Sequence, residues 1–159
     1  MLRRCYVLAV QEKHPSYKGC SVHVRWHNFQ NFAIDYSSMV GYGNKGWQLD
    51  KDILYPKNKI YSRKRCCLVP REINALLRSP NRPCSDLPTG VTRNCTISET
   101  YVVHGNFKGT RQYLGTYNTV EEAHEAYKKF KLAHIKRVAK RYKDQIDRNV
   151  YRTLSNYNF

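Results

Sequence analysis

Acidic residues are scarce in this chain: 12 Asp and Glu face 28 Lys and Arg, leaving a formal net charge of +16 at pH 7. Long apolar runs are missing too. The longest are only a few residues, too short for a membrane span or the apolar region of a signal peptide. The six cysteines, at 5, 20, 66, 67, 84 and 95, form no Cys-x-x-Cys pair, and adjacent Cys66 and Cys67 cannot easily serve one tetrahedral centre. Cys20 and His23 have a zinc-compatible spacing but would need two further ligands, so buried or free thiols in a reducing cytosol are the expected state. The glycine-rich stretch Gly41 to Gly46 is followed by no Gly-Lys-Ser/Thr and opens no helix, so a plain loop is expected there in preference to a phosphate loop. No internal repeat or low-complexity tract is present.

What remains is a basic polypeptide of 159 residues, long enough for one ordinary domain or two small ones. The charge is shared between the halves. Residues 1–80 hold 14 basic and 5 acidic side chains, and residues 81–159 hold 14 and 7. Such a spread fits two modules touching one polyanion better than a neutral protein with a basic tail. Residues 79–89 include three prolines among polar residues and read as a linker, which divides the chain into domains at 1–78 and 90–159.

Past the linker, periodicity predicts three short strands and a helix. Tyr101, Val103, Gly105 and Phe107 alternate with Val102, His104, Asn106 and Lys108. Arg111 and Tyr113 alternate with Gln112 and Leu114 beyond a turn at Lys108-Gly109. One face is thus apolar and the other carries donors suited to phosphates and base edges. Thr119 and Glu122 have capping-box spacing. Ala123, Ala126, Tyr127 and Phe130 then recur at helical intervals, an apolar stripe to cover the sheet. The basic run from Lys128 to Lys143 reads as a solvated helix face or a track for phosphates, and His104, His124 and His134 as surface residues.

The stretch Leu114 to Tyr117, Thr119 to Ala123 and Ala126-Tyr127 resembles the AP-two (ethylene-response-factor) DNA-binding domain, over about a quarter of the chain. The resemblance implies a three-stranded sheet laid in the major groove of duplex DNA. By position it implies DNA contacts from Thr92 and Asn94, His104 and Asn106, and Arg111 and Tyr113, with Arg93 and Lys108 near phosphates. Several of these differ from the arginines and tryptophans of the plant members, so their target sequence does not transfer.

In the first domain Val22, Val24 and Trp26 alternate like a strand, and Trp26, Phe29, Phe32, Ala33 and Tyr36 follow at helical spacing. Trp47 to Leu54 reads as a strand, Tyr55 to Lys59 as a turn, residues 59–61 as a second strand and the segment through Leu77 as a closing helix. In that strand Asp50 and Asp52 project from one face, and the helix brings Asn74 alongside. Two carboxylates and an amide oxygen are hard ligands suited to one Mg²⁺ (or Mn²⁺). On a basic protein this points to metal-assisted cleavage of a phosphodiester.

This half resembles the phage HNH homing endonucleases, built on a strand–turn–strand–helix core around one divalent metal. Asp50-Lys51 and the run Arg65 to Asn74 carry the likeness, with Cys5-Tyr6, Tyr17 to Cys20, Trp26 and Asn28 to Phe32 around them. Lys51 stands where such enzymes have their catalytic His, and residues 47–78 contain no histidine. A lysine near its ordinary pKa of about 10.4 is a poor base. His23 or His27 could approach instead, or Lys51 could stabilise developing charge.

The chain is therefore expected to be α+β, a small strand–turn–strand–helix metal domain followed by a three-stranded antiparallel sheet on one helix. The expected activity is divalent-metal hydrolysis of duplex DNA, leaving 5′-phosphate and 3′-hydroxyl ends as the resemblance implies. Asp50, Lys51, Asn74 and His27 are the catalytic candidates, and Asp50, Asp52 and Asn74 the metal ligands. The alternative is a DNA-binding protein derived from such a nuclease without its activity; a third class is a basic RNA-binding accessory protein. Double-stranded DNA is the expected partner of a monomer with no membrane association and no small-molecule cofactor. A cytoplasmic location is expected, the host's if the chain is phage-encoded.

Overall fold

The structure, a computed structural model, describes residues 1–77, 86–96, 99–107 and 109–159. Most of the expected linker and Lys108 lie outside the described residues. The chain is α+β, with six α-helices and three small sheets among those residues. By their packing the residues fall into two units: 1–77 with 142–154, and 78–141 with 155–159. Residues 142–154, expected in the second domain from their place in the chain, belong with the first.

The first unit opens with short helices α1 (Leu2–Tyr6) and α2 (Leu8–Lys13), then strand β1 (Ser21–Val22). The alternation through Trp26 does not continue as a strand. Val24–His27 is a 3₁₀ turn, whose entry is capped by His23 Nδ1 accepting from Arg25 N–H at 3.3 Å. Asn28 then caps helix α3 (Phe29–Ser37) through its Oδ1 and Asn31 N–H.

Three strands follow: β2 (Trp47–Asp50), β3 (Ile60–Tyr61) and β4 (Cys67–Pro70), then helix α4 (Arg71–Leu76). The expected hairpin of β2 with residues 59–61 does not form. β3 runs parallel to β1, and β2 pairs antiparallel with β4 in the register Gln48–Val69 and Asp50–Cys67. All four β4 residues are buried, so they need partners on both faces and carry no alternating signal. Trp47 and Leu49 pack toward a core of Cys5, Cys20, Val22, Trp26, Met39, Tyr61, Cys66 and Leu68. Gln48 and Asp50 take the opposite face. Helix α6 (Arg148–Ser155) follows residues 142–147, and Tyr142 donates its hydroxyl to Glu72 of α4 at 3.0 Å.

In the second unit β5 (Val91–Arg93), β6 (Tyr101–Phe107) and β7 (Thr110–Tyr117) form an antiparallel sheet in that order. Helix α5 (Val120–Arg141) covers one side. Thr119 Oγ1 accepts from Glu122 N–H at 3.2 Å, the capping contact predicted from the spacing. Val91, Val103 and Ala123 are buried at the centre, flanked by Tyr101, Leu114, Tyr117 and Tyr127. Contrary to the surface role expected from sequence, His134 is buried, its ring stacked on Phe130 and edge-on to Phe107. No described helix is long and apolar enough to cross a membrane.

Candidate functional site

Two regions bear on function, one in each unit. In the second, the pleat of β6 turns Tyr101, Val103, Gly105 and Phe107 toward α5, and Val102, His104 and Asn106 outward. The pairings Thr92–Val102, His104–Tyr113, Asn106–Arg111 and Val102–Thr116 carry the outer face across all three strands. A bulge between Val103 and His104 inserts Leu114 as the extra residue of β7. The alternation expected for residues 111–114 holds, with Arg111 and Tyr113 outward and Gln112 and Leu114 inward, and the period breaks only after Leu114.

The outer positions therefore hold Thr92, Val102, His104, Asn106, Arg111, Tyr113 and Thr116, with no carboxylate among them. An Arg111 guanidinium nitrogen lies 2.9 Å from His104 Nδ1. Arginine can only donate, so Nδ1 accepts and the proton of the neutral ring sits on Nε2. Burial and the neighbouring Arg111 charge both push the His104 pKa down, which favours that neutral form. Asn106 Oδ1 accepts from Gly109 N–H at 3.0 Å, which fixes its amide and leaves the NH₂ side as the outward donor. Tyr113 is largely exposed, its hydroxyl bonded to Thr116 at 2.9 Å. Thr116 is not foreseeable from alternation, because only the bulge puts it on this face.

Three residues grouped with these from the sequence stand apart. Arg93 pairs with Tyr101, on the helix-facing side of the pleat. Asn94 lies beyond β5, with its Oδ1 accepting from Thr96 N–H. Lys108 is outside the described residues. The outward group is thus Thr92, His104, Asn106, Arg111 and Tyr113.

The candidate metal ligands of the first unit are dispersed. β2 ends at Asp50, so Asp52 lies in the following turn and not on a shared strand face. Asp50 Oδ1 accepts from the N–H groups of Asp52 and Ile53 at 2.7 and 2.8 Å. Burial raises the Asp50 pKa, and the two backbone bonds only partly offset it. Lys51 is buried; its ammonium donates to both Asp52 oxygens at 2.6 and 2.8 Å and to the Asn58 carbonyl at 2.8 Å. Asn74 Nδ2 donates to Gln48 Oε1 at 2.6 Å, which brings it to the strand face that Asp50 shares, one pleat along. His27 is held at the end of β1, its Nε2 within 3.1 Å of the Val22 carbonyl and 3.3 Å of the Tyr6 hydroxyl.

As a metal site, the set is incomplete. Asp50 Oδ2 and Asn74 Oδ1 are the oxygens not engaged by these bonds, and Asp52 is drawn off by Lys51. Among the described residues no group of three or more His, Cys, Asp or Glu side chains could hold a metal ion. Zinc at Cys20 finds no support, since its thiol is buried and directed to the Ser16 carbonyl. Cys66 and Cys67 are also buried thiols, and burial pushes the pKa of Cys66 up to about 12.

The residue that organises this loop carries no signal in the sequence. Asn58 is buried, and its Nδ2 donates to the carbonyls of Lys51 and Ile60 at 2.9 and 2.8 Å. Its Oδ1 accepts from Ile60 N–H at 3.0 Å and from Arg65 at 3.3 Å.

Asp50 also yields a prediction. With its pKa raised in the fold, the native state binds more protons, so stability falls as pH rises through the interval between the unfolded and folded values. Asp50→Asn keeps an oxygen acceptor without the charge. It is expected to be more stable than the parent in urea at neutral pH, with the difference vanishing below about pH 4, where the unfolded carboxyl is protonated too. A parent that is the more stable at neutral pH would contradict this.

No protein-family model matches the chain, no curated protein sequence matches it, and no solved structure matches it.

Proposed function

We propose that this chain binds double-stranded DNA through the outer face of β5–β7. One observation carries the reading: a carboxylate-free row in which Arg111 is oriented by a neutral His104 and flanked by Asn106, Tyr113 and Thr92. The major groove admits a β-ribbon, an Arg fork matches guanine O6 and N7, and Asn matches adenine N6 and N7. The charge of +16 supplies the long-range attraction that draws a polyanion to that row.

Fluorescence anisotropy with a duplex library tests it. Arg111→Ala is expected to cost about 1–3 kcal/mol on duplexes carrying the preferred guanine and less on others. A loss equal on every sequence would demote Arg111 to a phosphate contact. Parent protein that prefers structured RNA in competition would favour the RNA-binding class.

Hydrolysis of that DNA is the second reading, an HNH-type endonuclease, and it is favoured by Asn74 of α4 bonding Gln48 on the strand face that also carries Asp50. Those two residues would hold one Mg²⁺ or Mn²⁺, which supplies Lewis acidity toward a phosphate oxygen. The proton acceptor is the weak point, because Lys51 is buried and its ammonium is committed to Asp52 and Asn58. DNA binding without hydrolysis is therefore the better-supported form. Supercoiled plasmid incubated with Mg²⁺ or Mn²⁺ separates the two: nicked circles made by the parent and not by Asp50→Asn would establish hydrolysis.

A further inference from the structure

The first unit contains a basic cleft that neither region above uses. The parallel pairing of β1 with β3 sets His23 N–H on the Tyr61 carbonyl at 2.9 Å. It thereby brings the Val24–His27 turn against the segment after β3, some forty residues later. That segment is a turn of three consecutive cations, Arg63, Lys64 and Arg65, closed by Arg65 and Cys66 N–H on the Ser62 carbonyl at 3.2 and 3.0 Å. Between the two lies a cleft of about 470 Å³, with Arg25 and His23 on one wall and the three cations on the other.

Its charge is poorly compensated. The one carboxylate in the lining, Asp35, is consumed by Arg25 at 3.0 and 3.3 Å and by the Trp26 indole N–H at 2.8 Å. Arg63, Lys64 and Arg65 are all exposed. Arg63 hydrogen-bonds Ser38 and adds its charge to those facing Asp35, and Arg65 spends one nitrogen on Asn58. Several guanidinium donors therefore still point at solvent. Ile60 and Trp26 give the lining an apolar part. Cations around an apolar floor suit a strand whose charged phosphates alternate with apolar sugar faces.

We propose that this cleft is a second nucleic-acid site, one that grips the phosphodiester backbone without reading sequence. The choice of ligand rests on the nucleic-acid reading above, and the experiment keeps the two apart. Full-length ¹⁵N-labelled protein is titrated with 5′-phosphorylated dithymidylate, then with a duplex. The dinucleotide is expected to shift the Trp26 indole N–H and the amides of residues 62–65 in a saturable way. In a protein carrying Arg63→Gln with Lys64→Gln, both exposed, affinity at those signals should fall at least tenfold while the spectrum stays dispersed. For the duplex, the slope of log affinity against log salt should flatten by roughly 0.9 for each phosphate that the variant no longer neutralises.

Silent signals at residues 62–65, or equal affinity in the double variant, overturn the proposal. Duplex-induced shifts at Thr92, Arg111 and Tyr113 report on the sheet separately. A responsive cleft with a silent sheet rejects the sheet reading alone, and the reverse rejects the cleft alone.

Discussion

Asn58→Ala is expected to destabilise the first unit by about 3 kcal/mol or more, read as a lower urea midpoint in tryptophan fluorescence. Both tryptophans, Trp26 and Trp47, lie in that unit, so the signal reports on it. The mutation removes two donated and two accepted hydrogen bonds at a buried position. It leaves the carbonyls of Lys51 and Ile60 and the Ile60 N–H without that partner, and each buried orphan costs about 1–3 kcal/mol. The same loop seats the Lys51 ammonium on the Asn58 carbonyl. Loosening it exposes a buried charge to rearrangement, which adds to the cost. A midpoint within error of the parent would mean that water enters and replaces the amide.

Gly105→Val carries the second large effect, in the other unit. Gly105 lies on the inner face of β6, and a Cβ there would overlap the Phe130 ring. Phe130 is itself stacked on buried His134, so it has little room to give way. Overpacking of this kind costs about 1–3 kcal/mol, and a branched side chain sits at the upper end. The expected result is a lowered thermal midpoint with loss of dispersed β6 and β7 amide signals, and weaker duplex binding as the outer face loses its support. A protein as stable as the parent would show that the helix can lift off the sheet without penalty.

How much of this is visible in the sequence differs between the units. β6, β7 and α5 are legible because alternation, a capping pair and an alanine-aromatic stripe all indicate the same arrangement. The outer face can therefore be anticipated at Thr92, His104, Asn106, Arg111 and Tyr113. What alternation misses there is local. Arg93 takes the inner side of the pleat through its pairing with Tyr101, and Thr116 regains the outer face through a bulge. In the first unit the decisive contacts are long-range. β4 is buried on both faces and shows no period, so its pairing with β2 cannot be read locally. The two-residue ladder of β1 with β3 leaves no pattern in sequence at all. Asp52 has the residue type of a ligand, yet the chain turns at Asp50, whose own carboxylate holds that turn. Asn58 does not differ in sequence from any other turn asparagine.

Residues 142–154 pack with a unit whose other residues all precede position 78. On the ribosome, therefore, the early portion waits for its last piece while the intervening sheet and helix emerge and can fold first. A nascent chain stalled before Tyr142 would leave that early portion unfinished and its apolar surface open to chaperones.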